Sequence, residues 1–285
     1  MSTTSITPAG TTAAARPAAA SSRSQGAVRW ALARVEGRRM LTHPLFVLGM
    51  TLAVGLSLLS LGAAGIDNGG DRLFGLAGGC FSAFGAIWMF LVTCLAASRE
   101  RRDSAEDLYT AAPVTPALRT QAAILSLAWA GLAATVLIAA MTVLVAGVDG
   151  VVTIEGEPYA LRPLELAQGP LYLMMVGAFG VLVGTWATRT YPAALGALVL
   201  FLPPAVWLPW IVFGEVAPQV GPTSWLDNAS LGWHLPGLAG LAALAIAGAL
   251  ARHDRRPRIA LLALVGLAAA VAGIALGTPT GPDPL

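Results

Sequence analysis

Charged residues divide the chain into seven long uncharged stretches, 40–66, 73–98, 120–148, 166–188, 190–214, 228–251 and 259–282, each of at least 23 residues. An α-helix rises about 1.5 Å per residue and crosses a hydrocarbon core roughly 30 Å thick in about 20 residues, so every stretch is long enough to span a bilayer. Lipid offers a bare backbone no hydrogen-bond partner, so such runs are predicted to be helical, with their connections at the interfaces. Transmembrane strands would not need runs this continuous. The pattern therefore predicts an all-α, polytopic membrane protein with seven spans.

The charges between the spans are sorted by sign. If the N-terminal tail is placed on one side together with loop 99–119, Arg189 and loop 252–258, that side carries fifteen of the seventeen arginines. The other side keeps only Arg72 and Arg162, against nine acids: Asp67, Asp71, Asp149, Glu155, Glu157, Glu165, Glu215, Asp227 and Asp283. By the positive-inside rule the N-terminus is expected in the cytoplasm and the C-terminus outside.

Residues 1–26 are rich in Ser, Thr, Ala and Pro, with Arg16 and Arg23 and no apolar core, and are expected to form a disordered cytoplasmic tail rather than a signal peptide or a span. Residues 27–41 mix Val28, Trp30, Leu32 and Val35 with Arg29, Arg34, Arg38 and Arg39 just ahead of the first span. They read as a basic interfacial helix.

The longest connection on the arginine-rich side, residues 98–120, runs SRERRDSAEDLYTAAPVTPALRT. Ser104 is placed to cap a short helix that Pro113 and Pro116 stop near Ala112. Such a helix shows both charge and apolar surface to the cytosol, as a docking element for a soluble partner requires. A solvated loop holding two span ends has the same composition, and charge alone does not separate the two.

Phe81, Phe84 and Trp88 fall at i, i+3 and i+7 in the second stretch and share one helical face. They suit a cavity for an amphipathic substrate, and equally helix packing or lipid contact. Glycines 75 and 79, and 180 and 184, form two small-xxx-small pairs of the kind that brings membrane helices close. Pro203, Pro204 and Pro209 remove backbone donors from the fifth stretch, so a break is expected there, as a gate or as an irregular span end. Trp233 and His234 open the sixth stretch at the outer interface, where an aromatic belt belongs.

Composition narrows the functional classes. Hydrophobic residues make up 56% of the 285 positions and charged residues 11%, unlike any soluble domain of this size. All basic residues are arginine, a bias expected of a GC-rich bacterial genome, and without lysine the chain has no phosphate-gripping P-loop. No Asp, Glu or Arg lies inside a stretch, so coupling to an ion gradient through an intramembrane ionisable group is not expected. Cys80 and Cys94 share one apolar run and read as small buried hydrophobes. His43, His234 and His253 sit at stretch ends with no partner spacing that would make a metal pair or a base with its nucleophile, so no metal site is expected.

Three segments together resemble the permease subunits of ABC-2 type exporters: Glu36 to Phe46 ahead of span one, Arg99 to Arg119, and the WHLPGLAGLAALAIAGAL run from Trp233. The resemblance covers roughly residues 28–256, or six spans, whereas this chain continues through Arg255, Arg256 and Arg258 into a seventh. It implies a six-span permease domain over 42–256 with a coupling loop at 99–119, followed by an additional span and short external tail at 257–285. In that family the coupling loop seats in a groove of a separate ATP-binding subunit. The corresponding positions here are Arg101, Arg102, Glu106, Asp107, Leu108 and Pro113.

The resemblance further implies a second permease copy or a paired permease, membrane lipids as surroundings and no nucleic acid. It implies no cofactor on this chain, with ATP and Mg handled by the partner, and an amphipathic or lipid-like compound or drug as cargo. From their own spacing, and not from the resemblance, Phe81, Phe84, Trp88, Pro203 and Pro204 are the candidate residues of a substrate pathway. Two other classes remain on the residues alone. One is a non-transporting scaffold or sensor whose loop 99–119 binds a cytosolic regulator. The other is a membrane enzyme acting on lipid-linked substrates, for which the chain lacks paired interfacial acids or histidines.

Overall fold

The computed structural model of the chain describes residues 22–63, 85–102, 114–149, 153–154, 157–158, 163–187 and 228–277. Among them are seven helices: α1 (Ser22–Leu41), α2 (Pro44–Ala63), α3 (Ala86–Arg102), α4 (Pro116–Asp149), α5 (Pro163–Trp186), α6 (Asn228–Ala251) and α7 (Pro257–Gly277). A two-residue antiparallel pair, Thr153–Ile154 with Glu157–Pro158, lies between α4 and α5. The protein is all-helical in its spans.

Proline marks where helices start. Pro44, Pro116, Pro163 and Pro257 are each the first residue of a helix, where the missing N–H would have no intrahelical acceptor and the fixed φ is already helical. Side chains just ahead supply the caps. The Leu118 amide donates to Thr115 Oγ1 at 3.3 Å, the Leu45 amide to His43 Nδ1 at 3.3 Å, and the Arg256 amide to Asp254 Oδ1 at 3.1 Å. Two further prolines, Pro170 in α5 and Pro236 in α6, fall inside their helices.

Four helices are long and apolar enough to cross a membrane, over Pro116–Val143, Leu166–Trp186, Gly232–Ala251 and Pro257–Leu276. They correspond to the expected third, fourth, sixth and seventh spans. Of the first and second, the apolar helical parts described are shorter, Pro44–Gly55 and Ala86–Arg99. The expected fifth span, 190–214, lies outside the described residues. So do residues 1–21 of the expected tail, while α1 starts at Ser22, ahead of the expected position 27.

Close contacts at glycine fix the helix directions. Gly177 meets Met89, Gly180 meets Thr93, and Gly184 meets Ala97, so α3 and α5 run parallel. Gly177 also meets Leu127 while Gly131 meets Met174, so α4 is antiparallel to α5. On the other flank Gly248 of α6 meets Leu182 and Arg252 reaches Trp186, a parallel pair, and α7 returns antiparallel with Gly273 on Gly237 and Gly266 on Gly240. Trp186 therefore ends α5 beside the C-terminal turn of α6. Asn228 starts α6 twenty residues earlier, about 30 Å away at the opposite end of the bundle.

Lipid tails are as apolar as leucine, so burial from water does not hold such helices together, and close van der Waals packing has to. The Gly180 and Gly184 pair singled out in the sequence does this between α3 and α5; glycines 75 and 79 lie outside the described residues. Around that seam Met40, Phe46, Met89, Val92, Leu127, Leu173 and Ala245, from six helices, form the main core. At the edge, α7 buries mainly Gly266, Ala270 and Gly273 and leaves Leu261, Leu264, Val265 and Val271 exposed. It is a peripheral helix held through its small-residue face.

Candidate functional site

α3 and α6 end, and α4 and α7 begin, at one end of the bundle, and that end gathers Arg99, Arg119, Arg252, Arg255, Arg256 and Arg258. Helical structure in α3 runs unbroken through SRERR to Arg102. Its polar residues are accommodated one turn back: Ser98 Oγ donates to the Cys94 carbonyl at 2.8 Å, and Thr93 Oγ1 donates to the Met89 carbonyl at 2.9 Å. Where the chain comes back into α4, Arg119 folds over the entry. Its Nη2 and Nε donate to the Val114 carbonyl at 2.8 and 3.3 Å. Both stems of the loop between α3 and α4 are thus tied to the bundle, one by the α5 seam and one by a capped, arginine-braced helix start.

Two junctions brace the same end. At the first, Trp186 Nε1 donates to the Gly248 carbonyl at 2.8 Å. In return Arg252 Nη1 donates to the Trp186 carbonyl at 3.2 Å, with its guanidinium 5.6 Å from the indole centroid. A cation here also complements the carbonyl-rich C-terminus of α5. The second junction seats α1 on α4. Arg29 Nη1 donates to Gln121 Oε1 at 3.4 Å, and Gly37 lies against the Trp129 indole. Ala33, Gly37 and Met40 are buried along this seam.

Of the expected docking residues, Arg101 and Arg102 are the last two of α3. Glu106, Asp107, Leu108 and Pro113 lie outside the described residues. Of the expected pathway residues, Trp88 is half-buried, and its side chain packs on Gly49 of α2, so close that a Cβ there would sit 2.5 Å from Trp88 Cγ. Phe81, Phe84, Pro203 and Pro204 lie outside the described residues. Trp88 thus joins α2 to α3, the packing role that its helical spacing also allowed.

Other features were not legible in the sequence. His234 is 5% exposed inside the bundle while its neighbour Trp233 is exposed, so only the tryptophan shows the surface position expected of both. Gln168 is fully buried on α5. The 66-residue offset that pairs Trp186 with Arg252 puts Gln168 level with His234 across the α5–α6 contact. A register between non-adjacent helices leaves no trace in local periodicity. Cys94 is buried and packed beside Phe90, as its apolar surroundings foretold.

Among the described residues no group of three or more His, Cys, Asp or Glu is arranged to hold a metal ion. The hydroxyls of Thr135, Thr142 and Thr185 donate to carbonyls four residues back in their own helices. No family model and no curated protein matches the chain.

Proposed function

We propose that the chain is the membrane-spanning permease subunit of an ATP-driven exporter of the ABC-2 type, in a bacterial cytoplasmic membrane, with six permease spans and a seventh at the C-terminus. The arginine-rich end then faces the cytosol, with the N-terminus inside and the C-terminus outside. Energy comes from a separate nucleotide-binding subunit docked on loop 99–119, which holds ATP and Mg. A second permease copy, or a paired permease, completes a pathway for an amphipathic or lipid-like compound.

The observation that carries this reading is the way the loop's stems are held. α3 passes without a break from the bundle to Arg102 and is locked to α5 through Gly180 and Gly184, while α4 starts at a capped Thr115–Pro116 step. A push on the intervening loop would move α3 and α5 as one body, because a glycine seam has no side chains to absorb the displacement. A chain with no lysine for a P-loop has to take its driving force from elsewhere. A loop joined directly to packed spans is a suitable place to receive it.

The test is co-isolation from native membranes. Replacing Glu106 and Leu108 together is expected to cut recovery of the ATP-binding subunit about tenfold or more, since a few such side chains dominate a docking surface, with the chain still inserted and monodisperse. Undiminished recovery of that subunit would reject the docking assignment. Recovery of a cytosolic regulator without nucleotide-binding motifs would favour the scaffold reading.

A further inference from the structure

The side of α1 turned away from α4 has a composition that its place in the bundle does not explain. The Arg29–Gln121 and Gly37–Trp129 contacts share one offset of 92 residues, so α1 runs parallel to α4 over about 12 Å. That register sets Arg34, Arg38 and Arg39 abreast of Ser126, Ala130 and Gly131, all within the membrane-crossing stretch Pro116–Val143. All three arginines are exposed. Trp30, 52% exposed, stands one turn before Arg34 and two before Arg38 in a single stripe, while exposed Val28 and Val35 share a separate stripe with Arg39.

Arginines at this depth need an anion. Arg39 has one in Glu36, its Nη1 3.0 Å from Oε1. Arg34 and Arg38 face no acidic side chain among the described residues. A guanidinium beside hydrocarbon reaches along its own stem to the nearest phosphate layer, and its planar fork fits a phosphodiester bidentately. The exposed indole, one turn toward the cytosolic end, suits the headgroup level, and the exposed valines of the neighbouring stripe suit contact with lipid. An acidic protein surface would meet the charges but would leave Trp30, Val28 and Val35 against polar groups.

We propose that the free face of α1 is a binding site for the headgroup of an anionic glycerophospholipid, with Arg34 and Arg38 on the phosphate and Trp30, one turn nearer the cytosolic end, at the headgroup level. A net-negative headgroup such as phosphatidylglycerol is preferred to phosphatidylcholine, whose trimethylammonium is repelled by the three arginines. Gly37, about 60–100° round the helix from the two arginines, packs on Trp129 of α4 and stays outside the lipid-facing site. This site depends on membrane placement and not on the transport reading.

Native mass spectrometry of the full chain in a non-ionic detergent, offered equal phosphatidylglycerol and phosphatidylcholine, tests it by the ratio of the two lipids retained. The wild-type chain should retain phosphatidylglycerol preferentially. Arg34→Gln/Arg38→Gln/Arg39→Gln should lower the ratio about tenfold or more, at roughly fivefold per lost charge before screening. The single Arg38→Gln, which leaves the α4 seam untouched, should lower it about three- to fivefold, and the corresponding triple lysine variant should keep most of it. Arg255→Gln/Arg256→Gln/Arg258→Gln should leave it unchanged.

An unaltered ratio in both α1 glutamine variants overturns the proposal, as does a loss confined to the 255/256/258 variant. Displacement of the lipid by inorganic phosphate would mark a free-phosphate site and also overturn it. So would an unaltered ratio accompanied by loss of an acidic protein partner, which would give the face to protein.

Discussion

Gly184 shows how much of this bundle rests on single small residues. A Cβ there would lie 2.5 Å from the Cys94 carbonyl oxygen and 2.9 Å from the Ala97 Cβ, so a methyl group can enter only if α3 and α5 separate. Gly184→Ala is therefore expected to destabilise the bundle by about 1–3 kcal/mol, the usual cost of overpacking. Gly55, with nothing within 4 Å, is the matching control. Gly55→Ala should be neutral or stabilising by up to about 1 kcal/mol, because alanine is the better helix former. Thermal unfolding in detergent micelles followed by tryptophan fluorescence ranks the two, and equal midpoints would contradict the seam. The spacing of Gly180 and Gly184 announced a helix contact in the sequence. Which helix it served was not legible, because α3 lies some 85 residues earlier in the chain.

Elements were legible where a local rule decides them. Uncharged length foretold the spans of α4, α5, α6 and α7, and proline supplied four helix starts. Seating between elements was not legible. α1 reads as a basic interfacial segment from residues alone, and the Gly37–Trp129 and Arg29–Gln121 contacts show which face is taken by α4 and which is left to the surroundings. The α5–α6 junction is similar, since nothing local to Trp186 points to Arg252. Arg252→Ala removes the hydrogen bond to the Trp186 carbonyl and the stacking on its ring. At a partly exposed site the stacking alone contributes about 0.5–1 kcal/mol. The expected outcome is faster proteolysis after residue 186 and a small drop in thermal midpoint, with Arg252→Lys only partly restoring both, because an ammonium lacks the planar fork. Unchanged proteolysis would mean that the junction closes on packing alone.

For the whole molecule, charge and length were enough to establish a multi-pass helical membrane protein, because the bilayer permits so few ways to satisfy a backbone. The candidate site was legible as a location and less so as a surface. The stems at Arg102 and Thr115 lie at the end that the arginines marked, while Trp88, read as cavity lining or packing, spends its ring on Gly49. A pathway depends on how faces of separate helices meet, and each helix records only its own periodicity.

On the proposed reading this chain supplies a conduit and a handle but no engine. Its most direct test is ATP hydrolysis by the purified chain in nanodiscs, measured alone and then with the nucleotide-binding subunit that co-isolates with it. No turnover above empty nanodiscs is expected from the chain alone. Turnover is expected from the complex, and it should fall when Glu106 and Leu108 are replaced. Nucleotide hydrolysis by the chain on its own would contradict that reading.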